Sequence, residues 1–99
     1  MSTPERVSLT PSEAAKELAG WLDGQGHLLR WPTKRKLQRT AVAYLVAKFE
    51  RDRVYAEQDV NAILDTWAVF KDAALLRRTM VEEQLLERTP DGSEYRVVG

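Results

Sequence analysis

Apolar residues recur along this chain mainly at the three-and-four spacing of helices, interrupted by short polar runs. Thr10, Pro11, Ser12 and Glu13 form a capping box with proline at the first helical position. Ala14, Leu18, Trp21 and Leu22 follow on one apolar face. They predict a first helix that ends at the DGQG run, residues 23–26. His27 to Trp31 is short and apolar, which predicts an extended segment. Pro32 bars its predecessor from helix, and Thr33 is the expected N-cap of the next one. That second helix should span residues 34–49, burying Leu37, Ala41, Tyr44, Leu45 and Phe49 while Lys36, Arg39 and Thr40 point away.

The ERDR run breaks the pattern, and Val54-Tyr55 predicts a very short strand. Val60, Ile63, Leu64 and Trp67 mark a third helix, with Glu57 and Asp59 in a first turn that favours negative charge. A fourth helix is predicted over residues 71–86. Beyond it, Pro90, Asp91 and Gly92 suit a type I turn, and Tyr95 and Val97 alternate with Glu94 and Arg96, which predicts a hairpin. The order helix, short strand, helix, helix, hairpin is that of a winged helix, preceded here by one extra helix. A three-helix bundle with a loose C-terminal tail is the alternative, and the TPDG turn favours the wing. The expected fold class is therefore mainly α with a small β-hairpin (α+β). Residues 1–9 should be a flexible tail and residues 10–99 one domain, with the extra helix in 10–23 and the core module in 26–98.

Composition narrows the class without naming a function. The chain has 99 residues, 43% hydrophobic and 30% charged, which suits one soluble globular domain. No apolar run approaches the roughly 20 residues needed to cross a bilayer. The N-terminus lacks the basic flank and apolar stretch of a secretory signal, so a cytoplasmic location is expected. Cysteine is absent, which excludes disulfides and thiolate metal sites.

Net charge is zero, yet it is unevenly spread. Residues 27–49 hold six bases and no acid, while the segments on either side are net acidic. Within RWPTKRKLQRT, Arg30, Lys34, Arg35, Lys36 and Arg39 gather at the start of the second helix. Cations at a helix N-terminus oppose its dipole, at a cost of roughly 0.3–1 kcal/mol each. They suit an anion held by the free backbone N–H groups of the first turn. The competing reading is of solubilising charges, or partners for the acidic C-terminal half.

Four stretches resemble a known family. They are GHLLRWPTKRK, then AYLVAKFERDRVYAEQDVNAIL with Phe49, Tyr55, Glu57, Val60, Asn61 and Leu64, then FKDAALLRRTMV, and finally LLERTPDGSEYR. Together they are similar to the small prokaryotic module called domain of unknown function 2087, found alone or attached to helix-turn-helix regulators. The sequence departs at Ala56, where a capping threonine is common, and at Ala68, where a histidine is expected. The resemblance implies a winged-helix-like fold and a regulatory setting, and no mechanism.

In a helix-turn-helix the fourth helix would enter the major groove. Steps of 100° put Phe70, Ala73, Ala74, Leu76, Met80, Val81 and Leu85 on one arc. Lys71, Asp72, Leu75, Arg78, Thr79, Glu82, Glu83 and Leu86 fall on the other. Arg77 lies in the apolar arc and should be held by a carboxylate such as Glu57 or Asp59. Arg78 is open, and meets either phosphate or guanine, or else Glu82 one turn on. With two bases against three acids this face is a poor reader of DNA. Arg88 and Arg96 on the wing sit beside Asp91 and Glu94. Trp21 and Trp67 are expected in the core. Leu75 and Leu86 suggest a contact with the first helix or a second subunit.

Nothing points to catalysis. His27 is the one histidine and should be exposed or hydrogen-bonded in a loop; no carboxylate pair sits in an apolar setting, and no glycine-rich loop follows a strand. No catalytic residue, metal site, cofactor, membrane contact or small-molecule substrate is expected. The leading reading is a regulatory module holding double-stranded DNA through phosphate contacts by Arg30, Lys34, Arg35, Lys36 and Arg39, with Arg78 on the fourth helix. The alternative is a protein–protein interaction module, or a homodimer, on the same scaffold without DNA binding. The positions of Glu82 and Glu83 discriminate: close beside the basic patch they disfavour DNA, and on the far side they leave it open.

Overall fold

The computed structural model describes residues 10–98; the tail expected over residues 1–9 lies outside the described residues. Helix α1 (Pro11–Glu17) starts as its capping box dictates, with Glu13 N donating to Thr10 Oγ1 and Thr10 N to Glu13 Oε1. It stops a turn early. Leu18 is its C-cap, and Ala19–Trp21 tighten into a 3-10 turn. Leu22 then leaves the helical face to pair antiparallel with Leu28, which also pairs parallel with Ala68. Leu28 N donates to Trp67 O, and Leu29 N to Trp21 O. Buried Leu28 thus ties the first turns of the chain to the end of the third helix.

Asp23 closes the loop between these segments. Its carboxylate accepts from the backbone N–H groups of Gln25 and His27 and from His27 Nδ1, each at 2.9 Å. Gly26 sits at φ +85°, and its carbonyl accepts from Tyr44 Oη at 2.6 Å; a Cβ there would lie 2.8 Å from that oxygen, so glycine is required.

Helix α2 (Arg35–Val46) is shorter at both ends than residues 34–49. Lys34, not Thr33, is its N-cap, and no side chain caps it. Gln38 Nε2 instead donates back to Pro32 O at 2.8 Å, fixing the chain's entry. Strand β1 (Tyr55–Ala56) lies one residue beyond the expected pair and runs directly into α3 (Glu57–Trp67). Ala56, lacking an acceptor, forms only half a capping box, in which Asp59 Oδ2 accepts from Ala56 N at 3.4 Å.

Helix α4 (Ala73–Glu82) corrects the expected 71–86 at both ends. Lys71 takes φ +53°, and the Asp72 side chain caps the helix by accepting from Leu75 N. At the far end Gln84 turns left-handed at φ +63°, and Leu85 N reaches Met80 O at 2.8 Å. That geometry is a Schellman stop built on glutamine. It releases Leu86 into strand β2 (Leu86–Arg88), which pairs with β3 (Glu94–Val97) around the expected turn, where Gly92 N donates to Thr89 O. Leu86 is therefore a core residue opposite Val97, not part of an exposed helical face. Phe70 likewise lies before α4.

The sheet order is β1-β3-β2, all antiparallel, with Tyr55 opposite Tyr95. Helices α3 and α4 pack on the sheet and α2 packs against α4, around Leu45, Val60, Leu64, Leu76 and Met80, all fully buried. Each such side chain contributes about 1.5–3 kcal/mol of apolar burial. Helix α1 packs outside α2, where Thr40 Oγ1 donates to Glu17 Oε1 at 3.0 Å. No helix among the described residues is long and apolar enough to cross a membrane.

Candidate functional site

The uncapped start of α2 leaves first-turn N–H groups without partners inside the helix. Arg30, Lys34, Arg35 and Lys36 are exposed around it, and Arg39 is half-buried one turn on. The structure therefore brings four of the six sequence candidates, Lys34, Arg35, Lys36 and Arg39, to one end of one helix. Arg30 is partly diverted, its guanidinium resting 4.4 Å above the Trp21 ring. Trp21 and Trp67 are half-buried at the edge of the core, each under a cation; Lys48 Nζ sits 4.0 Å from the Trp67 ring centre.

The basic patch has an acid inside it. Helices α2 and α4 pack so that the first turns of α2 meet the last turn of α4. Glu83 Oε2 lies 3.3 Å from Arg35 Nη2, and Glu83 Oε1 lies 3.1 Å from Arg39 Nε. The Glu83 side chain is 11% exposed, whereas that of Arg35 is 71% exposed. The Arg39 Nε–H is buried and not aligned on the carboxylate, so that pair is one of charge more than of hydrogen bonding. Between the two helices runs a groove lined by Trp31, Arg35, Arg39, Leu75, Arg78 and Glu82, with Glu83 beside them. Arg78, the sixth candidate, is exposed there and pairs with no acid among the described residues. Trp31 leans on Phe70, ring centres 6.4 Å apart. Leu75 is half-buried in this groove, a contact with α2 rather than with the first helix.

The opposite end of α4 is different in charge. It begins at the Asp72 cap, with exposed Lys71 just before it, and the turn of the β2–β3 hairpin carries Asp91. Asp91 accepts from Thr89 Oγ1 at 2.7 Å and from Ser93 N and Oγ, which hold its carboxyl down at about 2. It is thus ionised throughout the neutral range. Arg96 is engaged by Glu87 at 3.1 Å, leaving Arg88 as the one hairpin arginine without an acidic partner among the described residues. The anticipated clamp on Arg77 is present: Glu57 lies 3.6 Å away, Asn61 Oδ1 accepts from Arg77 Nη1, and Tyr95 lies beneath the guanidinium. Asn61 was legible as a polar residue one turn from Glu57 on the third helix, yet the carboxylates alone were expected. His27 is hydrogen-bonded in its loop, as expected, and stacks on Trp67 at 5.3 Å. Its partner Asp23, four residues earlier, was missed.

A family described as an uncharacterized protein conserved in bacteria, DUF2087, matches residues 27–97. The chain belongs to this family. No curated protein and no solved structure matches it. The DUF2087 span covers α2, α3, α4 and the whole sheet, so every wall of the groove falls within it. Helix α1 lies ahead of the match, packed on α2 and tied to it by Thr40 and Glu17.

Proposed function

We propose that this chain is a protein-interaction module on a winged-helix scaffold, working in the regulatory setting that the DUF2087 resemblance implies. The scaffold reading is supported by the order helix, strand, helix, helix, hairpin, with β1 against β3. The observation that carries the functional reading is Glu83, bridging Arg35 and Arg39 in the middle of the basic patch. A phosphate about 4 Å from that carboxylate would meet a repulsion of roughly 1 kcal/mol in water and about 4 near a protein surface. Nucleic-acid interfaces favour one sign of charge along the backbone. Here arginines alternate with Glu82 and Glu83, beside a tryptophan and a leucine. Arginine and tryptophan around a partly apolar groove are the composition of protein–protein hot spots.

Position adds to the argument. Base-reading helices present their N-terminal residues to the groove. Most of the cations lie beside the C-terminal end of α4, while at its N-terminal end Lys71 is offset by Asp72 and on the hairpin Arg88 is accompanied by Asp91.

A second reading, phosphate binding by Arg30, Lys34 and Lys36, is favoured by the uncapped first turn of α2. Anisotropy of labelled duplex DNA at two salt concentrations separates the two. The interaction reading expects little binding and no steep salt dependence. Affinity falling with a log–log slope of about −4, and weakened by alanine at Lys34, Arg35 and Lys36 together, would transfer the function to nucleic acid.

A further inference from the structure

We infer that the groove between α2 and α4 receives an acidic peptide segment of a partner protein, with a carboxylate on Arg78 and Arg35 and an apolar side chain on Trp31 and Leu75. This deepens the protein-interaction reading and rests on it.

Charge complementarity sets the sign of the occupant. Arg35, Arg39 and Arg78 line the groove against Glu82 and Glu83, and Lys34 and Lys36 add positive charge at the same end of α2. Glu83 is nearly enclosed and shared by two guanidiniums, so a phosphate track that must pass it is disfavoured, while a single carboxylate can sit on Arg78 and the outward N–H groups of Arg35, away from it. A guanidinium has five N–H donors, and a single carboxylate contact leaves the rest of Arg35 facing outward. Arg78 keeps its whole fork for an incoming carboxylate.

The apolar part points the same way. Leu28 and Ala68 are bridge partners and both are buried, so Leu29 and Val69 emerge together on the opposite side of that ladder. They are 39% and 45% exposed and adjoin Trp31 and Phe70 in sequence. Within the groove itself Trp31, backed by Phe70, and Leu75 supply the apolar part.

A peptide fits this mixed surface better than a phosphate track, because it can place carboxylates singly and away from Glu82. A second copy is less suited. Among its acids, Glu57, Asp59, Asp23 and Asp91 are committed to Arg77, the start of α3 and their own loops, so a second copy would have to offer a carboxylate such as Asp52 or Glu94, an outcome the dimer arm of the test reads.

The test is selection of a random displayed-peptide library on the full chain, followed by anisotropy with a labelled copy of the recovered sequence. The inference expects peptides rich in Asp or Glu around Trp, Phe or Leu. Arg78→Glu, an exposed change that should leave the melting temperature unaltered, should weaken their binding about tenfold or more. Leu75→Lys should weaken it independently. Recovery of basic or purely apolar peptides, indifference to Arg78→Glu, or recovery of none would overturn the acidic-peptide site while leaving a protein partner elsewhere open. A dimer abolished by Arg78→Glu would overturn it in favour of a second copy. Salt-steep DNA binding would instead overturn the underlying reading.

Discussion

Glu83 Oε2 stands 3.3 Å from Arg35 Nη2, joining the last turn of α4 to the first turn of α2 across 48 residues of chain. The contact changes what the basic cluster is for. Cations that would otherwise burden a helix N-terminus are partly offset by a carboxylate from a neighbouring helix, which also fixes the distance between the two walls of the groove. Electrostatics, packing and the proposed recognition surface therefore meet at one side chain.

Glu83→Gln keeps the shape and removes the charge. Arg39, half-buried, then lacks its counter-ion, and the fold should lose about 1–2 kcal/mol, between the values for exposed and fully buried pairs. The groove becomes more positive, so weak duplex-DNA binding should rise in the same variant. Urea denaturation and DNA titration of the one protein read both effects, and an unchanged urea midpoint would show the pair to be ornamental.

Arg77 should respond to loss of its neutral partner. In Asn61→Ala the guanidinium keeps Glu57 at 3.6 Å but loses its hydrogen bond to Asn61. The expected cost is about 1–2 kcal/mol. Arg77→Met, which retains an aliphatic stem of similar length, should cost less than Arg77→Ala. Equal losses in the two would argue that the charge, and not the stem, is what the site needs.

Gln84 gives a prediction of opposite sign. Its φ of +63° is a conformation that costs an ordinary residue about 1–2 kcal/mol and glycine little. Gln84→Gly should therefore stabilise the protein by about 0.5–1 kcal/mol, after the added flexibility of the unfolded chain is subtracted. Thermal unfolding reads the shift, and a lower melting temperature would mean that the glutamine side chain contributes more than its backbone costs.

Acid should loosen two loops. Asp23 is held at about 2, first by the backbone N–H of His27 and then by its ring, and Asp91 at about 2 by Thr89 and Ser93. Both values are below the ordinary 3.8, so their contribution is complete above that pH and disappears as pH falls through about 2. Stability measured from about pH 4 down to about 2 should fall less in Asp23→Asn than in the wild type.

The helices were legible because their buried faces repeat at three and four, and the hairpin because Pro90 and Gly92 fix a turn between alternating residues. Their ends were less so. Leu22 continues the apolar face of α1 in sequence but obeys a backbone pairing with Leu28, a partner that periodicity does not reveal. Leu86 fits the polar arc of a longer α4, yet the left-handed Gln84 sends it into the sheet, and glutamine carries little of the glycine signal for such a stop. The basic end of α2 was plain from Arg30 to Arg39. That Glu83 would enter it was not, since the contact depends on how α2 and α4 cross. The carboxylate that decides the reading is thus supplied by tertiary packing, distant in sequence.

The most direct test of the α2–α4 groove is amide and indole chemical-shift mapping of the labelled chain, titrated separately with an acidic peptide and with duplex DNA. The account predicts that the peptide moves the Trp31 indole and the amides of Arg35, Arg39, Leu75 and Arg78, while DNA leaves the spectrum unchanged at physiological salt. Shifts on adding DNA at Lys71, Ala74 and the wing turn from Thr89 to Ser93, with Trp31 unmoved by the peptide, would contradict it.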